Sequence, residues 1–158
     1  MIKLIPIILL LAACSNDYAG ACPSALPVTI SVERSDYPES RIRWAANFWN
    51  RQFGQEIIKL GRGGQIEIFE VNRIEYLDCH DTSGCAAPVV DYRGKITSCL
   101  IYIRAYGAET GTSVLIHELG HCLGLDHDSE LESIMYPVIF PGNETLPRHI
   151  DHLSSCME

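Results

Sequence analysis

Residues 117–128 read His117-Glu118-Leu119-Gly120-His121-Cys122-Leu123-Gly124-Leu125-Asp126-His127-Asp128, and the rest of the chain is best read outward from them. On a helix, His117 and His121 stand at i and i+4, so both imidazoles leave one face about 6 Å apart. That separation suits two nitrogens at about 2.0–2.1 Å from one zinc ion. Glu118 lies beside them, placed to reach a metal-bound water rather than the metal. A third ligand from the next turn of the same helix would lose tetrahedral geometry. Gly124 offers a way out: without a Cβ it can take a positive φ, end the helix and turn the chain, so that His127 swings back onto the metal. Three neutral histidines leave a fourth position for water, the open arrangement of a catalytic site. The flanking Val114, Leu115, Ile116, Leu119, Leu123 and Leu125 predict a buried helix over Thr112–Leu123.

Upstream, Val28, Ile30 and Val32 alternate and predict a half-buried strand over Val28–Glu33. Pro38 opens a helix, with Ser35 and Asp36 as cap candidates. Ile42, Ala45, Ala46, Phe48, Trp49 and Phe53 then recur at helical spacing until Gly54. The Gly61–Gly64 cluster breaks the pattern, and Ile66, Ile68 and Val71 predict a strand over Gly64–Asn72. Asp78–Gly84 is rich in turn residues, and Ala87–Tyr92 and Lys95–Arg104 read as strands joined by a tight Arg93-Gly94 turn. Arg148–Cys156 is expected to form a last helix. Interleaved strands and helices give an α+β domain, α/β-like, with a mixed twisted sheet of about four or five strands.

The 158 residues fit one domain, and 47% hydrophobic with 20% charged residues is a globular composition. Twenty acidic against 12 basic residues give a formal net charge of −8, without the basic footprint of a nucleic-acid binder. At the start, Lys3 and the apolar Leu4–Leu11 suit a secretory signal, the run being too short for a membrane-spanning helix. It ends in Leu11-Ala12-Ala13-Cys14, which resembles a bacterial lipobox. That resemblance implies residues 1–13 as a lipoprotein signal peptide, Cys14 as the lipidated residue and 14–27 as a tether before a catalytic domain over 28–158. Membrane contact would be through the lipid alone, on a bacterial envelope and at the outer membrane in a Gram-negative cell. Beyond Cys14 the chain has Cys22, Cys79, Cys85, Cys99, Cys122 and Cys156, an even set that reads as up to three disulfides with the pairing open. No C-x-x-C pair favours a thiolate metal site.

The run 117–127 matches H-E-x-x-H-x-x-G-x-x-H, the signature of the metzincin metallopeptidases. Eight residues past His127, Ser133-Ile134-Met135-Tyr136-Pro137 resembles their methionine turn, and most of all that of the matrixins, including short bacterial members. Asp128 departs from the Ser usual there in matrixins, and Pro137 stands where astacins carry a Tyr. The resemblance implies one catalytic zinc on His117, His121 and His127, a methionine turn at Met135, and Glu118 as general base toward a zinc-activated water. It also implies a substrate peptide extended antiparallel along an edge strand. Ala87–Tyr92 is the candidate edge, since Pro88 is tolerated there. Tyr136, Pro137 and Val138 are candidate substrate contacts, in a pocket wall running to about Pro147.

The function expected is a zinc-dependent endopeptidase acting on proteins or peptides, as a monomer. The alternative is a zinc-holding surface lipoprotein that binds a protein partner without cutting; a third reading is hydrolysis of a peptidoglycan-type amide. Nothing between residues 72 and 105 matches the matrixin segment for a structural zinc. Calcium ligation by Asp78, Asp81 and Asp91 is open but unsupported, solvated loop carboxylates being the plainer reading. His80, His149 and His152 are expected at the surface or on helix faces rather than on a metal.

Overall fold

The computed structural model describes residues 19–72, 74, 79, 82–104, 108–138 and 145–158. The expected signal segment, Cys14, Asp78, His80 and Asp81 lie outside these residues. Six strands form one sheet: β1 (Cys22–Pro23), β2 (Val28–Ser31), β3 (Ile58–Gly61), β4 (Ile66–Val71), β5 (Gly84–Val90) and β6 (Lys95–Arg104). Among the described residues three α-helices accompany them: α1 (Glu39–Phe53), α2 (Ala108–Cys122) and α3 (Asp151–Ser155). The pairs β2–β3, β2–β4 and β4–β6 are parallel. Only β5 runs antiparallel, along β6 from Gly84↔Ile103 to Val90↔Ile96. With no further partner among the described residues, β5 is the edge expected from Pro88.

Several elements differ from expectation in instructive ways. Ile58–Gly61 forms a strand that its glycines disguise, held where Asn50 Oδ1 accepts the Ile57 and Ile58 N–H groups and Asn50 Nδ2 donates to the Ile58 carbonyl. Neither Ser35 nor Asp36 caps α1. Their oxygens instead accept the Ile68 and Glu70 N–H groups, stitching the strand-to-helix connection onto β4. The segment expected as a free tether is fixed to the fold from Gly20 onward. Cys22 and Pro23 pair with Lys95 and Ile96, beyond the end of β4 on the same flank of β6. The last helix is shorter than expected, with residues 148–150 in turn conformation before Asp151.

The core lies where α1 and α2 pack together over the sheet. Ile42, Ala45, Ala46, Phe48 and Trp49 of α1 meet Val114, Leu115, Ile116 and Leu119 of α2, with Ile30, Ile66, Ile68, Ile101 and Ile103 beneath. Trp49 is fully buried and its indole N–H donates to the Ile116 carbonyl at 3.0 Å, one residue before the first histidine of α2. Burying an apolar side chain of this size stabilises by about 1.5–3 kcal/mol. Three disulfides close the open pairing as Cys22–Cys156, Cys79–Cys85 and Cys99–Cys122. The last joins the end of α2 to β6 with both cysteines buried, and so ties the histidine-bearing helix to the middle of the sheet.

Candidate metal centre

Helix α2 brings His117 and His121 to one face, and both are buried. After Cys122 the chain turns at Gly124, whose φ is 92°. A Cβ there would lie 1.9 Å from the Ala21 carbonyl oxygen, so both conformation and space require glycine. The turn returns His127 to the helix face. The three Nε2 atoms converge: His117 to His121 is 3.1 Å and His117 to His127 is 3.3 Å.

The contact between His117 and His121 is not a hydrogen bond between rings. His117 Nδ1 lies 2.7 Å from the Ile134 carbonyl and His121 Nδ1 lies 2.8 Å from the Leu125 carbonyl. A carbonyl only accepts, so each Nδ1 carries the proton and each Nε2 presents a lone pair. Burial keeps both rings neutral: it pushes His117 down to about 4, and His121 falls well below its ordinary value, the neighbouring His117 and His127 adding to the effect. His127 is also lowered by burial, against the opposing charge of Asp126. Lone pairs facing one another at this range repel unless a cation sits among them. Tetrahedral ligands at about 2.0–2.1 Å from a zinc stand about 3.3–3.4 Å apart, and the observed spacing agrees. The three residues therefore fit zinc.

Glu118 is buried beside the cluster. Burial drives its carboxyl up to about 8, while a hydrogen bond from the Ala86 N–H of β5 works the other way. Gly84 lets this edge strand come so near. A Cβ at that position would sit 2.4 Å from Val114 Cγ1 and 2.6 Å from Glu118 Oε1. Because the Ala86 N–H turns to Glu118, Pro88 two residues on also faces away from β6, where its missing N–H breaks no ladder bond.

Beneath the three histidines runs the turn through Ser133, Ile134 and Met135, all buried. Met135 packs under α2 where Gly120 leaves room: a Cβ on Gly120 would be 2.4 Å from the Met135 sulfur. The Met135 carbonyl accepts the Asp128 N–H at 2.8 Å, and the Ser133 hydroxyl accepts the Met135 N–H. Tyr136 is half-buried, whereas Pro137 and Val138 are exposed as the chain leaves the turn. Residues 139–144 of the expected pocket wall lie outside the described residues; the chain rejoins the turn at Thr145, whose carbonyl accepts the Ile134 N–H.

Residue reasoning along the sequence missed the braces around this loop. The Asp128 carboxylate, which departs from the matrixin Ser, is buried and accepts the Arg148 and Glu130 N–H groups as well as the Arg148 guanidinium. His149 Nε2 donates to the Asp126 carbonyl, and His152 lies 3.6 Å from the Cys156 sulfur. Asp91 uses Oδ1 to accept the Arg93 and Lys95 N–H groups of its own hairpin turn, the role of a turn-former.

A helix-borne pair of histidines, a third from the following turn and a carboxylate beside them define an open, single-metal centre of the kind that hydrolytic metalloenzymes use. The matrixin family model matches residues 74–152, half of the chain, and the chain belongs to that family. Metalloendoproteinase 1 of Glycine max is 62% identical over 29 residues, 18% of this chain and 10% of that protein. Metalloendoproteinase 2-MMP of Arabidopsis thaliana is 63% identical over 30 residues, 19% of this chain and 8% of its own length. The matched stretches thus span about a tenth of each plant relative.

Proposed function

We propose that the chain is a zinc-dependent endopeptidase that cuts peptide bonds in proteins or peptides, held at a bacterial envelope by a lipid on Cys14. The convergence of three Nε2 atoms beside a buried carboxylate carries this reading. When bound, zinc would supply Lewis-acid chemistry, polarising the scissile carbonyl and acidifying a water. Glu118 takes the proton of the attacking water and hands it to the leaving amine. The apolar surroundings of Glu118 suit a carboxyl that must hold a proton between those two transfers. The Ala86 N–H aims the carboxylate, and edge strand β5 offers its free side to an extended peptide. Tyr136, Pro137 and Val138 stand where the chain leaves the methionine turn, in reach of residues past the cut. A purely zinc-holding protein needs no base at position 118, which weighs against the non-catalytic alternative. The lipid anchor rests on Leu11-Ala12-Ala13-Cys14.

Mass-spectrometric mapping of cuts in a denatured, proteome-derived peptide library tests the proposal. Cuts by the soluble form from Ser15 should vanish with a zinc chelator and return on adding zinc. A chain that binds one zinc yet leaves the library intact would contradict it.

A further inference from the structure

The loop carrying the third histidine is held at one end by the segment around Gly20 and Ala21 and at the other by the segment around Arg148 and His149. From the N-terminal side, the Gly20 N–H donates to the Gly124 carbonyl at 3.0 Å, and the Ala21 carbonyl lies against Gly124 Cα. From the C-terminal side, His149 Nε2 donates to the Asp126 carbonyl at 3.0 Å and the Arg148 N–H donates to Asp128 at 2.8 Å. The Arg148 guanidinium adds contacts to Asp128, Ser129 and Glu130. Residues 124, 126 and 128, on both sides of His127, are therefore positioned by two segments that are remote in sequence. Those segments are joined by Cys22–Cys156, whose cysteines are 134 residues apart.

We propose that the Cys22–Cys156 disulfide is a clasp that positions His127 and so sets how tightly the centre retains zinc; this rests on the zinc centre assigned above. The clasp acts through hydrogen bonds to the residues that flank His127; bonds made to a ligand itself are typically worth about 10–100-fold in metal affinity, and the lower end applies to this more indirect support. It is also the disulfide most open to reagents. Cys22 and Cys156 are half-buried, whereas Cys79, Cys85, Cys99 and Cys122 are buried. A dithiol would reach it first, giving up two electrons and two protons to leave two thiols here and a disulfide in the reagent. Zinc retention is thereby coupled to the redox state of one bond.

The test compares zinc affinity, by competition with a chromogenic chelator, in the chain from Ser15, in Cys22→Ser/Cys156→Ser and in Cys79→Ser/Cys85→Ser. The clasp variant should bind zinc about tenfold more weakly, while the Cys79→Ser/Cys85→Ser variant, whose disulfide does not join the segments that hold residues 124, 126 and 128, matches the parent. Equal affinity in the parent and clasp variant, or equal loss in both variants, overturns the proposal. Should the clasp variant fail to fold, the folded parent reduced by a phosphine until only Cys22 and Cys156 are freed, and then alkylated there, must bind zinc severalfold more weakly; affinity unchanged from the parent overturns the proposal. The readout needs no substrate. A parent chain that binds zinc but cuts nothing contradicts the peptidase reading alone, and one that binds no zinc contradicts both.

Discussion

His117 Nδ1 donates to the Ile134 carbonyl at 2.7 Å, so the methionine turn sets which nitrogen of the first ligand faces the metal position. One residue on, the Met135 carbonyl holds the Asp128 N–H beside the third ligand. The turn thus holds His117 and the residue after His127 from below through backbone groups, and the Met135 side chain packs under α2 as their floor.

That floor has no slack under α2. In Gly120→Ala the new Cβ would stand 2.4 Å from the Met135 sulfur and 3.1 Å from the Trp49 ring. The variant should lose about 1–3 kcal/mol of stability through overpacking, and should also hold zinc more weakly as the turn is displaced. Denaturant unfolding with and without zinc measures both effects. A variant as stable as the parent would show that Met135 moves aside freely.

A different outcome is expected on the other side of Glu118. Gly84→Ala would press a methyl group between Val114 and the Glu118 carboxylate. The ligands are untouched, so zinc content should stay at that of the parent. Turnover should fall by about 10²-fold, the usual cost of misplacing a catalytic group by about 1 Å. Parallel measurement of bound zinc and of kcat/KM separates the two; zinc loss in this variant would contradict the placement of β5.

In the zinc-free protein the two kinds of buried group oppose each other with pH. The histidine pKa values are depressed, His117 to about 4 from an ordinary 6.5. Their contribution is therefore complete above about 6.5 and is lost as the pH falls toward 4. The Glu118 pKa is raised from 4.5 to about 8, so its contribution is complete below about 4.5 and is lost as the pH rises through 8. Below about pH 6.5 His117 and His121, aided by His127, outweigh the single carboxyl; above it the carboxyl acts alone. Thermal unfolding of the chelated protein should give the highest Tm near pH 6.5, falling on both sides. Glu118→Gln should flatten the alkaline side and steepen the acid side. A Tm that keeps rising from pH 6.5 to 8 in the parent would contradict the burial of Glu118 as a neutral acid.

The centre was legible because its parts are local. The i, i+4 pair, Gly124 and His127 lie within eleven residues, and each constrains the next through helix geometry. The edge strand was legible from Pro88, whose missing N–H bars it from a central position. What was hidden depends on contacts between segments far apart in the chain. Ile58–Gly61 becomes a strand because Asn50 and β2 supply its hydrogen bonds, against its glycine-rich surroundings. Cys22–Pro23 reads as tether until β6 and Cys156 are seen beside it. Ser35 and Asp36 carry a helix-cap pattern, yet their oxygens accept N–H groups of β4 and no side chain caps α1. Asp128 reads as a minor departure from the family until Arg148 is brought against it from twenty residues away.

The most direct test of the central claim is the turnover of Glu118→Gln on a cut-site peptide, measured together with zinc content. The centre predicts one zinc per chain retained on His117, His121 and His127. Loss of the proton acceptor should lower kcat/KM by about 10²–10⁴-fold. Turnover close to that of the parent with zinc still bound would contradict the role given to Glu118, and with it the mechanism proposed for this site.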